Sequence, residues 1–109
     1  MEDKELITNA TQLLAELNKS FQSCKQGRAD DIRLQELLNT TIKELKKVEK
    51  LDNSILIDLE KFYQRTSLLI GLGSLKLNDQ ARIAWRNYDK FHYEHIKHVL
   101  TLYGPVFGF

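Results

Sequence analysis

The stretch that decides the fold is "ILIDLEKFYQRTSLLIGLGSLKL", Ile55 to Leu77. Its second half, SLLIGLGSLKL, can be read alone as a strand followed by a turn, because aliphatic residues crowd around two glycines. The middle refuses that reading. Leu59-Glu60-Lys61-Phe62-Tyr63-Gln64-Arg65-Thr66 does not alternate apolar with polar. Ile55, Leu56, Leu59, Phe62 and Tyr63 instead recur at helical intervals, and Leu69 and Ile70 resume that face two turns on. Asp52-Asn53-Ser54 supplies capping residues in front, and Gly71 and Gly73 supply breakers behind. The spacing therefore predicts a helix over 54–70, with Gly71-Leu72-Gly73-Ser74 as a turn. That glycine pair lacks the Lys-Ser/Thr ending of a phosphate loop.

Working outward, the same punctuation marks three more helices. Ala10, Leu13, Leu14, Leu17, Phe21 and Cys24 form one face over 4–26, and Gly27 stands where a left-handed turn would end it. A second helix over 30–51 opens on the carboxylates Asp30-Asp31, which suit free amides and the positive end of a helix dipole. Its stripe runs through Leu34, Leu38, Ile42 or Thr41, Leu45 and Val48, and it closes on Lys46, Lys47 and Lys50. Asn78-Asp79 caps the last and longest segment, 79–102, with Ala81, Ala84, Trp85, Tyr88, Phe91, His95, Val99 and Leu102 on one face. Gly104-Pro105 stops it, since proline cannot continue a helix and biases its predecessor away from one. Short links between amphipathic helices imply antiparallel neighbours. The expected fold is all-α: an up-down four-helix bundle, one domain over 1–109, with a short C-terminal tail packed on it. Its predicted core includes Leu13, Leu17, Leu38, Leu45, Leu59, Phe62, Tyr88 and Phe91.

Length and charge narrow the function classes. A chain of 109 residues builds one hydrophobic core. A net charge of +1 gives no bulk electrostatic case for nucleic acid or an anionic membrane. No apolar run approaches the ~18 residues that a membrane span needs. The acidic start, MEDKELITNA, lacks the layout of a signal peptide. The single cysteine, Cys24, has no intramolecular partner and no histidine placed to activate it; it is expected in the core of a protein kept in the reducing cytoplasm. No cofactor motif is present.

Two patterns in the last helix invite a chemical reading. His92, His95 and His98 form an H-x-x-H-x-x-H run. Six residues rotate His98 by about 120° from His92, so one helix cannot aim all three at one ion. The plainer expectation is a half-buried His95 beside Tyr88 and Val99, with His98 near a helix end that favours a cation. Arg86 through His92, RNYDKFH, resembles the arginine–histidine motif of HEPN ribonucleases, where the arginine steadies phosphate charge and the histidine moves a proton at the ribose 2′-hydroxyl. Spacing places Arg86 and His92 on different faces, so a solvated Arg86 competes with a catalytic one. From Lys76 onward five basic residues oppose three acidic ones, which makes the C-terminal third slightly basic, aromatic and histidine-bearing. Any partner should be met there.

Four stretches carry a wider likeness: LQELLNTTIKELKK in the second helix, DNSILIDLEKFY into the third, GSLKLNDQ before the fourth, and the terminal YGPVFGF. Over nearly the whole chain the layout resembles the immunity proteins of pediocin-like (class IIa) bacteriocins, the enterocin A immunity type. The glycine pair at 71–73 and the histidine run lie outside that likeness. The resemblance implies a cytoplasmic, non-enzymatic bundle without catalytic residues, cofactor or metal. Such a protein guards a bacteriocin producer at the inner membrane face by binding the mannose phosphotransferase permease that the bacteriocin has engaged. It also implies that the C-terminal half chooses the bacteriocin. On this reading Val106, Phe107 and Phe109 turn back at Gly104-Pro105 toward Phe62, Ile70 and Val99, and the partner-binding residues are Lys97, Thr101, Tyr103, Pro105, Phe107 and Phe109. A helical subunit of a larger assembly and the HEPN-type ribonuclease using Arg86 and His92 are the alternatives.

Overall fold

The computed structural model describes residues 3–48, 52–73 and 75–97. Four α-helices follow one another: α1, Asp3–Gln22; α2, Ala29–Lys47; α3, Asn53–Gly71; and α4, Asp79–Phe91, which runs on into a π-helical turn, His92–Ile96. They form an antiparallel four-helix bundle in which α1 packs between α2 and α4, α2 packs on α3, and α3 meets the π turn. No strand occurs among the described residues: in the 55–77 stretch α3 runs through Gly71, one residue past its expected end, and the chain turns out of it at Leu72 and Gly73. The expected tail, together with His98, Val99, Thr101, Leu102, Tyr103, Pro105, Val106, Phe107 and Phe109, lies outside the described residues.

The caps explain why the helices start where they do. Asp52 accepts a hydrogen bond from the Ile55 amide at 3.0 Å, and Asn78 accepts one from the Ala81 amide at 2.9 Å. Each satisfies a first-turn donor that the helix leaves free. Ahead of α2 the device is larger. Asp31 accepts from the Gln26 amide at 2.8 Å, from the Arg28 amide at 3.2 Å and from Arg28 Nε at 3.2 Å. One carboxylate thereby ties the α1–α2 loop to the helix it precedes. Gly27 takes the expected left-handed conformation in that loop, at φ +77°.

The core is a continuous cluster contributed by all four helices. Of the predicted core residues, Leu17, Leu38, Leu45, Leu59, Phe62, Tyr88 and Phe91 are buried. Leu13 is not: it is half-buried at the edge of the cluster. The buried stripe of α1 is Leu6, Ala10, Leu14, Leu17 and Phe21, and Leu13 lies about 100° of rotation before Leu14. Cys24 is likewise half-buried rather than sealed in, because α1 ends at Gln22 and its last carbonyls are taken up by a tight turn through Ser23 and Cys24.

The fourth helix departs most from its periodic reading. The Lys97 amide donates to the His92 carbonyl, five residues back, so one turn holds an extra residue. The continuous α-helix expected over 79–102 is thus broken in register after Phe91. Ile96 is fully buried and His92 nearly so, while His95 is half-buried, as expected, with its ring tilted on Phe91 at 5.4 Å.

Candidate functional site

Three surfaces bear on function: the α3–α4 seam around His92, the exit of α4 toward the C-terminal segment, and the cleft between α2 and α3. At the seam, His92 pairs through Nε2 with Glu60 of α3 and stacks on Tyr63 with ring centroids 3.6 Å apart. Trp85 also stacks on Tyr63, at 5.5 Å, and touches Phe62 edge-on. Tyr88 is wholly buried beside them and donates its hydroxyl proton to the Leu59 carbonyl at 3.0 Å. Burial pushes the Tyr88 hydroxyl well above its ordinary range, and the nearby Glu60 and Tyr63 push it further. Burial also raises Tyr63, helped by its hydrogen bond to Asp89 and the charge there, while Ser67 works against the shift.

This arrangement answers the two chemical patterns. Arg86 is exposed, whereas His92 is turned inward onto Glu60 and Tyr63, so the two sides of the RNYDKFH motif do not share a surface. His92 and His95 also diverge: His95 Nε2 lies 3.7 Å from Glu94 on the outer side. Among the described residues no group of three or more His, Cys, Asp and Glu side chains could hold a metal ion. His92, Glu60 and Tyr63 are a seam that periodicity missed. Its one legible signal was Glu60, a carboxylate lying between Leu59 and Phe62 of the apolar stripe.

At the exit of α4, Lys97 is exposed and holds its ammonium 5.4 Å from the centroid of the Tyr93 ring, which is 59% exposed. Lys97 is the one proposed partner-binding residue inside the described structure. Thr101, Tyr103, Pro105, Phe107 and Phe109 all follow it.

The third surface is a cleft of about 540 Å³ between α2 and α3. Leu37, Thr41, Phe62 and Leu69 line it, with Leu68 53% exposed at its lip. Arg33, Glu36 and Arg65 stand toward one end, and Glu44, Asp58 and Lys61 toward the other. This order follows from antiparallel helices, which set the start of α2 beside the end of α3. No helix among the described residues is long and apolar enough to cross a membrane. Comparison with protein-family models, curated proteins and solved structures returns no match to this chain.

Proposed function

We propose that this chain is an immunity protein of the pediocin-like bacteriocin class, a cytoplasmic, non-enzymatic bundle that protects its cell. Its partner is the mannose phosphotransferase permease with a bacteriocin engaged on it, met at the inner membrane face. The observation that carries the reading is the exit of α4. The π turn draws His92 and Ile96 into the core and leaves Tyr93 and Lys97 outside, so the chain enters its aromatic last segment from an exposed cation–aromatic pair. Exposed aromatic and basic groups of this kind are enriched where proteins meet proteins. The architecture is the one the family resemblance implies, although a fold alone does not carry a function.

Val106, Phe107 and Phe109 complete the proposed surface, each worth about 1.5–3 kcal/mol when fully buried. The test is to express the full chain, and a form lacking residues 104–109, in a host sensitive to class IIa bacteriocins. The full chain should protect against at least one of them. The truncated form should keep its circular dichroism spectrum, because the described core precedes the deletion, and lose protection. Full protection by the truncated form would move the partner surface elsewhere. Absence of protection by the full chain across the class would overturn the reading.

A further inference from the structure

Two neighbouring residues compete for the last core place of the fourth helix. Counted at about 100° per residue from the buried Tyr88, His95 falls within about 20° of the core direction and Ile96 about 80° away from it. An unbroken α-helix would therefore point His95 inward. The structure fills the place with Ile96, which is 0% exposed, while the His95 side chain keeps 29% of its surface in solvent and lies 3.7 Å from Glu94. The extra residue of the π turn makes this exchange, and it leaves Lys97 about 100° behind its place in an unbroken helix.

Nothing local imposes the turn. His92-Tyr93-Glu94-His95-Ile96 contains neither glycine nor proline, and the backbone is helical on either side, with φ −59° and ψ −45° at Phe91 and φ −58° and ψ −43° at Lys97. Glu60 and Tyr63 pin His92 at the start of the turn, and His92 holds the same place whether the turn is π or α. The choice is therefore made downstream of it. Burying isoleucine removes apolar surface from water, whereas burying an imidazole requires partners for its ring nitrogens.

We propose that the π turn is a two-register joint, set by which of positions 95 and 96 carries the apolar side chain. With isoleucine at 96 the turn takes an extra residue. With the apolar residue at 95 the helix runs on as α, and Lys97 swings by about 100°. The face on which the chain leaves the bundle is decided there, where the turn packs on α3. A partner that contacts Lys97 differently in the two registers shifts the balance between them by that difference in affinity. The joint is independent of the immunity reading, because register is read without protection.

The experiment is NMR of the isotope-labelled full chain, using scalar couplings across hydrogen bonds to identify the carbonyl that the Lys97 amide reaches. In the parent it should be His92, five residues back. Exchanging the two residues, His95→Ile with Ile96→His, keeps the composition and should move the coupling to Tyr93, four residues back. A second variant lacks Glu94, whose ion pairs with Lys90 and His95 are solvent-exposed and contribute little. There the Lys97 amide reaches the same His92 carbonyl as an ordinary α bond and Ile96 keeps its place. This variant should melt no more than about 5 °C below the parent. Were residues 92–96 plain α-helix, the same deletion would turn Ile96 out of the core and lower the melting temperature by about 10 °C or more. A parent coupled to Tyr93, an exchange variant coupled to His92 or to neither carbonyl, or a deletion variant melting more than about 5 °C below the parent would each overturn the proposal.

Discussion

Tyr63 and His92 lie ring on ring, their centroids 3.6 Å apart and their planes 3° from parallel. Trp85 and His92 are about two helical turns apart, and Tyr63 stacks with both, so one α3 side chain bridges two levels of the fourth helix. Because Glu60 holds the same imidazole, His92 serves to join α3 to α4.

His92→Ala should therefore lower stability by about 2–4 kcal/mol in urea unfolding, because it removes a buried ring and leaves Glu60 with only its hydrogen bond from Gln64. Arg86→Ala, at an exposed position, should stay within about 0.5 kcal/mol of the parent. The pure parent is expected not to cleave RNA. Metal-independent cleavage lost equally in both variants would reassign the pair as catalytic.

The two glycines at the end of α3 should respond in opposite directions. A Cβ at Gly73 would stand 2.6 Å from Asp30 Oδ2 and 2.8 Å from the Leu69 carbonyl oxygen, closer than such atoms approach. Gly73→Ala should destabilise by about 1–3 kcal/mol, since backbone must move to admit the methyl group. A Cβ at Gly71 meets nothing within 4 Å on the last residue of a helix. Gly71→Ala should stabilise by up to about 1 kcal/mol. Chemical unfolding of both variants checks the contrast, and equal behaviour would mean that Gly73 is not held against α2.

Asp31 should make stability depend on acid. Its burial works to raise the carboxyl, but the amide of Gln26 and the side chain and amide of Arg28 outweigh that and hold it below the ordinary aspartate value. A depressed carboxyl contributes stability that is complete above its unfolded value and is lost as pH falls through the folded one. Asp31→Asn should thus destabilise the bundle by about 1–2 kcal/mol at neutral pH. The gap between variant and parent should close as the solution is acidified below the ordinary carboxylate range. Thermal unfolding across pH reads this directly; a gap that stays constant into acid would assign the effect to packing rather than charge.

Tyr88 should act at the other end of the scale. With its hydroxyl raised by burial, and by Glu60 and Tyr63, the folded chain keeps a proton that the unfolded chain releases. That contribution is complete below the ordinary tyrosine value and is lost as pH rises through the folded one. Tyr88→Phe removes the hydrogen bond to Leu59, about 0.5–1.5 kcal/mol at neutral pH. It should also flatten the alkaline decline of stability, measured by unfolding at rising pH. A variant that declines as steeply as the parent would place the alkaline sensitivity on another group.

What the sequence by itself determined was local. Asp52 and Asn78 announce their helices because a side-chain oxygen at that offset finds a free amide whatever the rest of the fold does. Leu17, Leu38, Leu59 and Phe62 are buried because a period near 3.6 puts them on one face, and a chain this short has one core to bury that face in. The middle of the 55–77 stretch excluded a strand on the same ground.

Only the tertiary structure decided what depends on two elements meeting. No period along α4 foretells that a turn will take an extra residue; the π turn appears where α3 packs on it, and it carries Ile96 fully into the core beside the half-buried His95. Asp30 and Asp31 read as capping carboxylates; that both are buried is decided by tertiary structure, since the α3–α4 junction at Gly73 closes over the first and the α1–α2 loop binds the second. The meeting of Glu44 with Asp58 across the α2–α3 cleft is likewise absent from either helix alone. It arises because antiparallel packing sets Glu44 beside Asp58, residues that the sequence holds 14 positions apart.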